Sequence, residues 1–219
     1  MEESRLLRTR GAIAGVDEVG VGPLAGPVVA AAVVLDAAKA GKLRTKNKWW
    51  HPVKDSKLLS ERERDDLVKI IFVNSVSVGV GSATVEEIDR LNIFHARLLA
   101  MKRAIESLKA RPGFIFVDGN FMIPELSIPQ RAIPDGDAKI LSIACASILA
   151  KVTRDNVCKT LHAEYPEYGF DQHKGYPTKL HYDRLKQFGP CPAHRKSFAP
   201  VKLLLSQPGE TISSGQRIV

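Results

Sequence analysis

One segment constrains the fold of this chain more than any other: residues 15–35, GVDEVGVGPLAGPVVAAAVVL. An apolar run stops at two adjacent carboxylates, Asp17 and Glu18, and a turn built on Gly20 and Gly22 leads into a second apolar run. Neighbouring carboxylates at a strand end repel each other unless a cation lies between them, and oxygen-only ligands favour Mg²⁺ or Mn²⁺. Glycines allow backbone N–H groups to approach a phosphate closely. The segment therefore indicates phosphodiester chemistry, although an Asp-Glu pair by itself is more typical of an exposed β-hairpin with solvated charges.

Composition favours a basic globular protein that binds a polyanion. The 219 residues suffice for a sizeable core, and a net charge of +8 favours nucleic acid as the partner, with an ordinary basic protein as the alternative. We expect no membrane association, because no apolar run reaches about 20 residues. The N-terminus lacks the apolar core of a signal peptide, and three cysteines argue against a disulfide framework. These features predict a cytoplasmic protein, and we expect a monomer.

Apolar alternation and β-branching predict five strands, near residues 11–17, 27–35, 76–83, 113–118 and 130–134. Two capping boxes, Ser60 with Glu63 and Thr84 with Glu87, predict helix starts. The second is predicted to open one long helix on whose apolar stripe His95 would be a core residue. The other positions of that stripe are Ile88, Leu91, Leu98, Ile105 and Leu108.

The last third of the chain is predicted to be mainly helical. A helix from Asp137 to about Tyr165 has an apolar first half and should be buried. A loop over 166–177 and a short helix from Thr178 to Phe188 follow, ended by Gly189. The fold class is therefore α/β, with a mixed central sheet flanked by helices and a helical C-terminal part.

Two further acids lie where apolar segments end or begin. Asp118 follows the strand FIFV, and Asp137 precedes the apolar helix. Alone, the first is best explained as a turn residue and the second as a helix N-cap. Together with Asp17 and Glu18, however, they would be gathered at one edge of a compact sheet. Two divalent ions about 4 Å apart would balance four acids there and hold an attacking water in line with a leaving oxygen.

The chain resembles bacterial ribonuclease HII from Gly15 to about Leu204. The resemblance rests on these ordered segments: GVDEVG, GPLAGPVVAAAV, DSKLLSERER, EIDRLNIFHARLLAMKRAI, VDGN, GDAKILSIACASILAKVTRD, YGFDQHKGYPT and HRKSFAPVK. It implies a ribonuclease H-like fold in one catalytic domain, residues 1–205, with a helical part from about 166 and a flexible tail over 206–219. Ribonuclease HIII is the closest alternative, but the PLAGPVV continuation and the lack of an extra N-terminal domain favour HII.

The resemblance also implies an endonuclease that cuts the RNA strand of RNA–DNA hybrids and nicks DNA 5′ of embedded ribonucleotides. Four metal-binding catalytic acids carry over onto Asp17, Glu18, Asp118 and Asp137. Two Mg²⁺ or Mn²⁺ ions, bound together with the substrate, would activate the water and stabilise the departing oxygen. The products would carry 3′-hydroxyl and 5′-phosphate ends.

Selection of ribonucleotides is implied to depend on the turn Gly20-Val21-Gly22, acting through its backbone, and on Tyr176, which would pack against the ribose. By itself, the sequence HKGYPT is typical of a basic turn whose aromatic side chain covers the core. Lys57 is a candidate phosphate contact. Val21 departs from the family, where arginine is usual, and so does Asp135, where lysine is common. Both departures leave open an alternative function, a hybrid-binding protein with weakened or lost turnover.

The basic loop over 42–57 interleaves Lys and Arg with Trp49, Trp50 and His51. Such a mixture suits phosphate contacts and stacking on bases. The alternative is a solvated insertion whose tryptophans pack on the core.

Overall fold

A computed structural model describes residues 12–36, 49, 53, 56 and 59–206 of the chain. Five strands form one mixed sheet in the order β3-β2-β1-β4-β5. The first three strands are antiparallel neighbours, whereas β1–β4 and β4–β5 are parallel pairs. Their bounds are β1 Ile13–Val19, β2 Val28–Leu35, β3 Ser75–Ala83, β4 Phe114–Asp118 and β5 Gln130–Ile133. The mixed sheet agrees with the predicted fold class.

Helices cover both faces of the sheet. The helices are α1 Glu61–Val73, α2 Val85–Leu91, α3 Ile93–Glu106, α4 Leu141–Glu164, α5 Phe170–His173, α6 Lys179–Phe188 and α7 Ala199–Ser206. Helices α2 and α3 pack on one face, and α1 and α4 on the other. Both predicted capping boxes are present, at Ser60 and Thr84. Among the residues described here, no helix is both long enough and apolar enough to cross a membrane.

The side chains of β1 point alternately toward the helices on the two faces of the sheet. Ala14 and Val16 belong to the cluster beneath α3, whereas Ile13 packs in a cluster that includes Ile143 of α4. Gly15 faces the same helix so closely that an added Cβ would lie 2.3 Å from the backbone of Ser142 and Ile143. Only a glycine permits this approach, which brings α4 against the strand that carries the first two acids.

The predicted long helix after Thr84 is wrong, because the chain forms two helices that meet at Asn92. That residue has a positive φ of 66°, and its side-chain oxygen accepts hydrogen bonds from the N–H groups of Phe94 and His95. The side chain of Asn92 thus begins a new helix in a new direction. Because the direction changes, His95 is exposed instead of buried in the core.

Two other boundaries also differ from the prediction. The buried helix begins at Leu141, and Asp137 lies in a separate 3₁₀ turn, Gly136–Ala138, so it does not cap that helix. The predicted loop over 166–177 contains a 3₁₀ turn, Pro166–Tyr168, and the short helix α5. The helix Lys179–Phe188, with Thr178 as its N-cap and Gly189 at its end, matches the prediction closely. The tail after Ser206 lies outside the described residues.

Candidate active site

The parallel pairing of β1 and β4 brings two of the predicted acids side by side. Val16 pairs with Val117, so Asp17 and Asp118 are the next residues on neighbouring strands that run in the same direction. Carboxyl ends of parallel strands meet at one edge of a sheet, which is a common location for functional groups. The local sequence accounts for this placement, because each acid directly follows a buried apolar run.

All four predicted acids line one cavity of about 220 Å³ at this edge. Tyr176 also lines it, together with Ser56, Ser147 and Lys151. Asp17 is buried, Glu18, Asp118 and Asp137 are half-buried, and Tyr176 is exposed. The structure thus collects residues that are up to 159 positions apart in the chain, from Asp17 to Tyr176, around one small polar space.

Ionisation of the most buried acid is costly. Burial raises the pKa of Asp17 well above its usual range, and the nearby charges of Glu18 and Asp118 raise it further. Hydrogen bonds from the Ser147 hydroxyl and from the Glu18 N–H, which lies 2.7 Å from Oδ1, oppose this rise. Burial is also the main cause that raises the pKa of Asp118. A bound cation would favour the ionised form of each of these groups.

Glu18 points to the opposite side of the sheet from Asp17, as strand alternation requires. Its Oε1 lies 3.3 Å from a guanidinium nitrogen of Arg97 on α3. Burial raises the pKa of Glu18, and the charge of Arg97 opposes this effect. The same guanidinium lies over the rings of Phe94 and Phe121. Arg97 therefore partly compensates the charge of the acid cluster from the α3 side.

Asp118 and Asp137 are connected through the 3₁₀ turn. Asp118 Oδ1 accepts a hydrogen bond of 2.7 Å from the N–H of Gly136, and a Cβ at Gly136 would lie 3.0 Å from that oxygen. Glycine at this position thus allows the turn to approach the strand end. Asp135, which precedes Gly136, is exposed, and its carboxylate lies 3.8 Å from the ammonium group of Lys139.

The donor set of the cavity suits a hard divalent cation. Its four carboxylates supply only oxygen ligands, which Mg²⁺ and Mn²⁺ prefer. Within the described part of the chain, no three carboxylate, histidine or cysteine side chains already converge as a metal cage. Glu18 instead contacts Arg97, and Asp118 accepts a hydrogen bond from the Gly136 N–H. The composition of the cavity fits the metal, whereas the side chains are more widely spaced than in a closed site.

The turn over residues 20–22 lies beside Tyr176. Gly20 has a φ of 98°, and the Tyr176 Cε1 atom is 3.9 Å from the position of a Cβ on Gly22. Gly22 is exposed, whereas the Val21 side chain is half-buried and packs against the cluster beneath α3. The structure therefore places the turn next to Tyr176, which lines the cavity.

Sequence reasoning missed two polar residues of α4, Ser147 and Lys151. They are four positions apart in the mainly apolar first half of this helix, so they share one face. Their spacing of four residues within a mainly apolar segment is the sequence signal that could have identified them. The Ser147 hydroxyl lies 3.1 Å from that of Ser56, and Lys151 Nζ lies 2.6 Å from Asp155 Oδ1.

The basic loop lies mostly outside the described residues, and so does the predicted phosphate contact Lys57. Trp50 and His51 are also outside them. Trp49 is described, and it packs against the cluster formed by β2, α1 and α4. For this tryptophan, the packing alternative considered above agrees with the structure.

The sheet, its flanking helices and the acids at its edge define a nuclease of the ribonuclease H-like fold. Among solved structures, ribonuclease H2 from Pyrococcus horikoshii has a TM-score of 0.72 and 29% identity, covering 88% of this chain and 96% of that one. A sequence model described as Ribonuclease HII matches residues 14–201. Ribonuclease HII 2 from Methylibium petroleiphilum is 50% identical over 198 residues (89% of this chain, 85% of the relative). Ribonuclease HII from Dechloromonas aromatica is 50% identical over 199 residues, which cover 90% of this chain and 95% of that protein.

The chain therefore belongs to the ribonuclease HII family, as its motifs predicted. This membership supports ribonuclease H endonuclease activity.

Proposed function

We propose that this protein hydrolyses the RNA strand of RNA–DNA hybrids and nicks DNA 5′ of embedded ribonucleotides, leaving 3′-hydroxyl and 5′-phosphate ends. The observation that carries the proposal is the convergence of Asp17, Glu18, Asp118 and Asp137 on one cavity beside Tyr176. A protein that only binds hybrids has no need of four acids in such a space. The basic composition and the family membership support nucleic acid as the substrate, and the location that we propose for this activity is the cytoplasm.

The four acids are the proposed ligands of divalent ions, Mg²⁺ or Mn²⁺. When bound, two such ions would activate the attacking water and stabilise the departing 3′ oxygen. Asp17 is held in place for this role by the hydrogen bond that its Oδ1 accepts from the Glu18 N–H, and Asp118 by the one from Gly136. Residues at strand ends and tight turns are positioned by the rigid sheet, which favours catalysis by orientation.

The chain's own residues also bind and orient the substrate. The backbone of Gly20-Val21-Gly22 is proposed to recognise the 2′-hydroxyl, and the Tyr176 ring to pack against the same ribose. Lys151 lines the cavity and supplies positive charge close to the scissile phosphate. Lys57 is a proposed additional phosphate contact.

The decisive experiment uses a DNA duplex with a single ribonucleotide and an otherwise identical DNA duplex. With Mg²⁺ or Mn²⁺, we expect one cut, 5′ of the ribonucleotide, and no cut in the DNA control. EDTA should abolish the cut. Ribonucleotide-specific binding without cleavage in either metal would instead support the hybrid-binding alternative that Val21 and Asp135 leave open.

A further inference from the structure

Two arginines, Arg154 of α4 and Arg195, are fully buried beneath the turn Gly20-Val21-Gly22. Arginine is rarely buried unless its donors are satisfied. Here the donors of both side chains face backbone carbonyl oxygens. Burial lowers the pKa of Arg195 to about 9, so its guanidinium stays charged at neutral pH. Burying a charged guanidinium is unfavourable, and here its donors bind backbone carbonyl groups. This arrangement indicates that the arginine positions those carbonyl groups.

Arg195 binds the turn through two donors and the following loop through a third. Its Nη2 donates to Gly20 O at 2.6 Å, its Nη1 to Val21 O at 3.0 Å, and its Nε to Gly26 O at 2.9 Å. Hydrogen bonds from a charged donor are about twice as strong as neutral ones. The planar guanidinium thus fixes the orientation of consecutive peptide groups in the turn.

Arg154 connects the same loop to the segment that carries Tyr176. It donates to Ala25 O at 3.2 Å, to Pro27 O at 3.3 Å and to Lys174 O at 2.9 Å. It also lies directly against Gly20, where a Cβ would be 2.3 Å from the Arg154 Nε. The hydrogen bonds of Arg154 therefore join this loop to the segment that carries Tyr176.

The hydrogen bonds to Arg195 determine the direction in which the N–H groups of the turn point. In a trans peptide the C=O and N–H bonds point in opposite directions, and no cis bond occurs in the described segments. Because the carbonyls of Gly20 and Val21 face Arg195, the N–H groups of Val21 and Gly22 point away from it. Neither N–H donates to another residue within the described ranges.

We propose that Arg195 is a positioning residue for ribonucleotide specificity, because it aims the Val21 and Gly22 N–H groups at the 2′-hydroxyl, while Arg154 holds the neighbouring carbonyls of the same loop. The inference rests on the proposed function, in which this turn recognises the ribose. Arg195 itself does not touch the substrate. Its loss should therefore weaken discrimination between ribose and deoxyribose more than it weakens binding to nucleic acid in general.

The test is the substitution Arg195→Lys, which keeps a positive charge but removes the guanidinium fork. Fluorescence anisotropy in EDTA would measure the Kd for a duplex with one ribonucleotide and for the all-DNA duplex. We expect the first Kd to rise about tenfold, as for the loss of one or two hydrogen bonds, and the second to change less than twofold. The matched control is Arg103→Lys, which removes guanidinium bonds to Ser82 and Glu87 and should leave the ratio unchanged.

A second measurement does not depend on the folding of a variant. Amide hydrogen exchange of the wild-type protein, followed by NMR, should be fast at Val21 and Gly22 in the free protein. Exchange at both should slow with the ribonucleotide duplex and much less with the all-DNA duplex. Slow exchange at both amides in the free protein would show that they point inward and would overturn the inference.

The failures of the two proposals are distinguishable. A wild-type protein that neither prefers nor cuts the ribonucleotide duplex contradicts the proposed function. A wild-type protein that prefers and cuts it, together with a folded Arg195→Lys variant of equal preference, contradicts only the role of Arg195.

Discussion

Replacing Asp17 with asparagine should stabilise the protein in EDTA while abolishing cleavage in Mg²⁺. Asp17 is 7% exposed, and burial followed by the charges of Glu18 and Asp118 raises its pKa. At neutral pH its ionised form therefore costs folding free energy. Asparagine has nearly the same volume, keeps an oxygen for the Glu18 N–H and removes the charge.

The size of the gain follows from this environment. Leaving a buried polar group incompletely compensated costs about 1–3 kcal/mol, and more when it is charged. Asp17 keeps hydrogen bonds from Glu18 and Ser147, so we expect a gain of about 2 kcal/mol at pH 7. For a chain of this length, that corresponds to a Tm increase of about 4–8 °C.

The pH dependence has a defined sign. Below the usual pKa of 3.8 the carboxyl is protonated in both the folded and the unfolded protein, so the substitution should have little effect there. As the pH rises toward and through the raised pKa of the folded state, the wild type loses stability relative to the variant. The Tm difference should therefore be near zero around pH 3–4 and largest at neutral pH.

Calorimetry in EDTA across this pH range, with a cleavage assay in Mg²⁺, tests the prediction. Asp66→Asn is the matched control, since its side chain is 60% exposed and it should change neither quantity. An Asp17→Asn variant that is less stable than the wild type at pH 7, or that cleaves at a near-normal rate, would refute the reasoning.

Four further outcomes are expected. Gly15→Ala should lower the free energy of unfolding by about 2–4 kcal/mol, measured with urea, because its Cβ would lie 2.3 Å from backbone atoms of α4. The protein should lose stability as the pH falls from about 6.5 to about 4. Burial lowers the pKa of His194 to about 4, so the unfolded chain binds a proton at a higher pH than the folded protein does. His194→Gln should therefore flatten the dependence of Tm on pH. Lys57→Ala should reduce the slope of log Kd against log salt by about 1, and an unchanged slope would exclude a phosphate contact. Val21→Arg should lower the Kd for the ribonucleotide duplex at low salt by adding a charge near phosphate, while the preference for ribose stays the same.

Local signals in the sequence were sufficient for much of the architecture. Apolar alternation located all five strands, and the capping boxes at Ser60 and Thr84 located two helix starts. These features depend on neighbouring residues, whose spacing is visible in the chain. The single long helix after Thr84 was wrong because the positive φ of Asn92 and its side-chain cap redirect the backbone, a choice that periodicity does not reveal.

The sequence by itself determined the family, the residue types of the site and the strand ends where two of its acids lie. Only the tertiary structure decided how they meet: the parallel register of β1 and β4 brings Asp17 beside Asp118, and the 3₁₀ turn brings Gly136 onto Asp118. It also revealed the buried arginines, since Arg195 reaches carbonyls more than 170 positions earlier in the chain. Such contacts depend on packing between distant segments, because a side chain that satisfies remote carbonyl groups leaves no periodic pattern in its own neighbourhood.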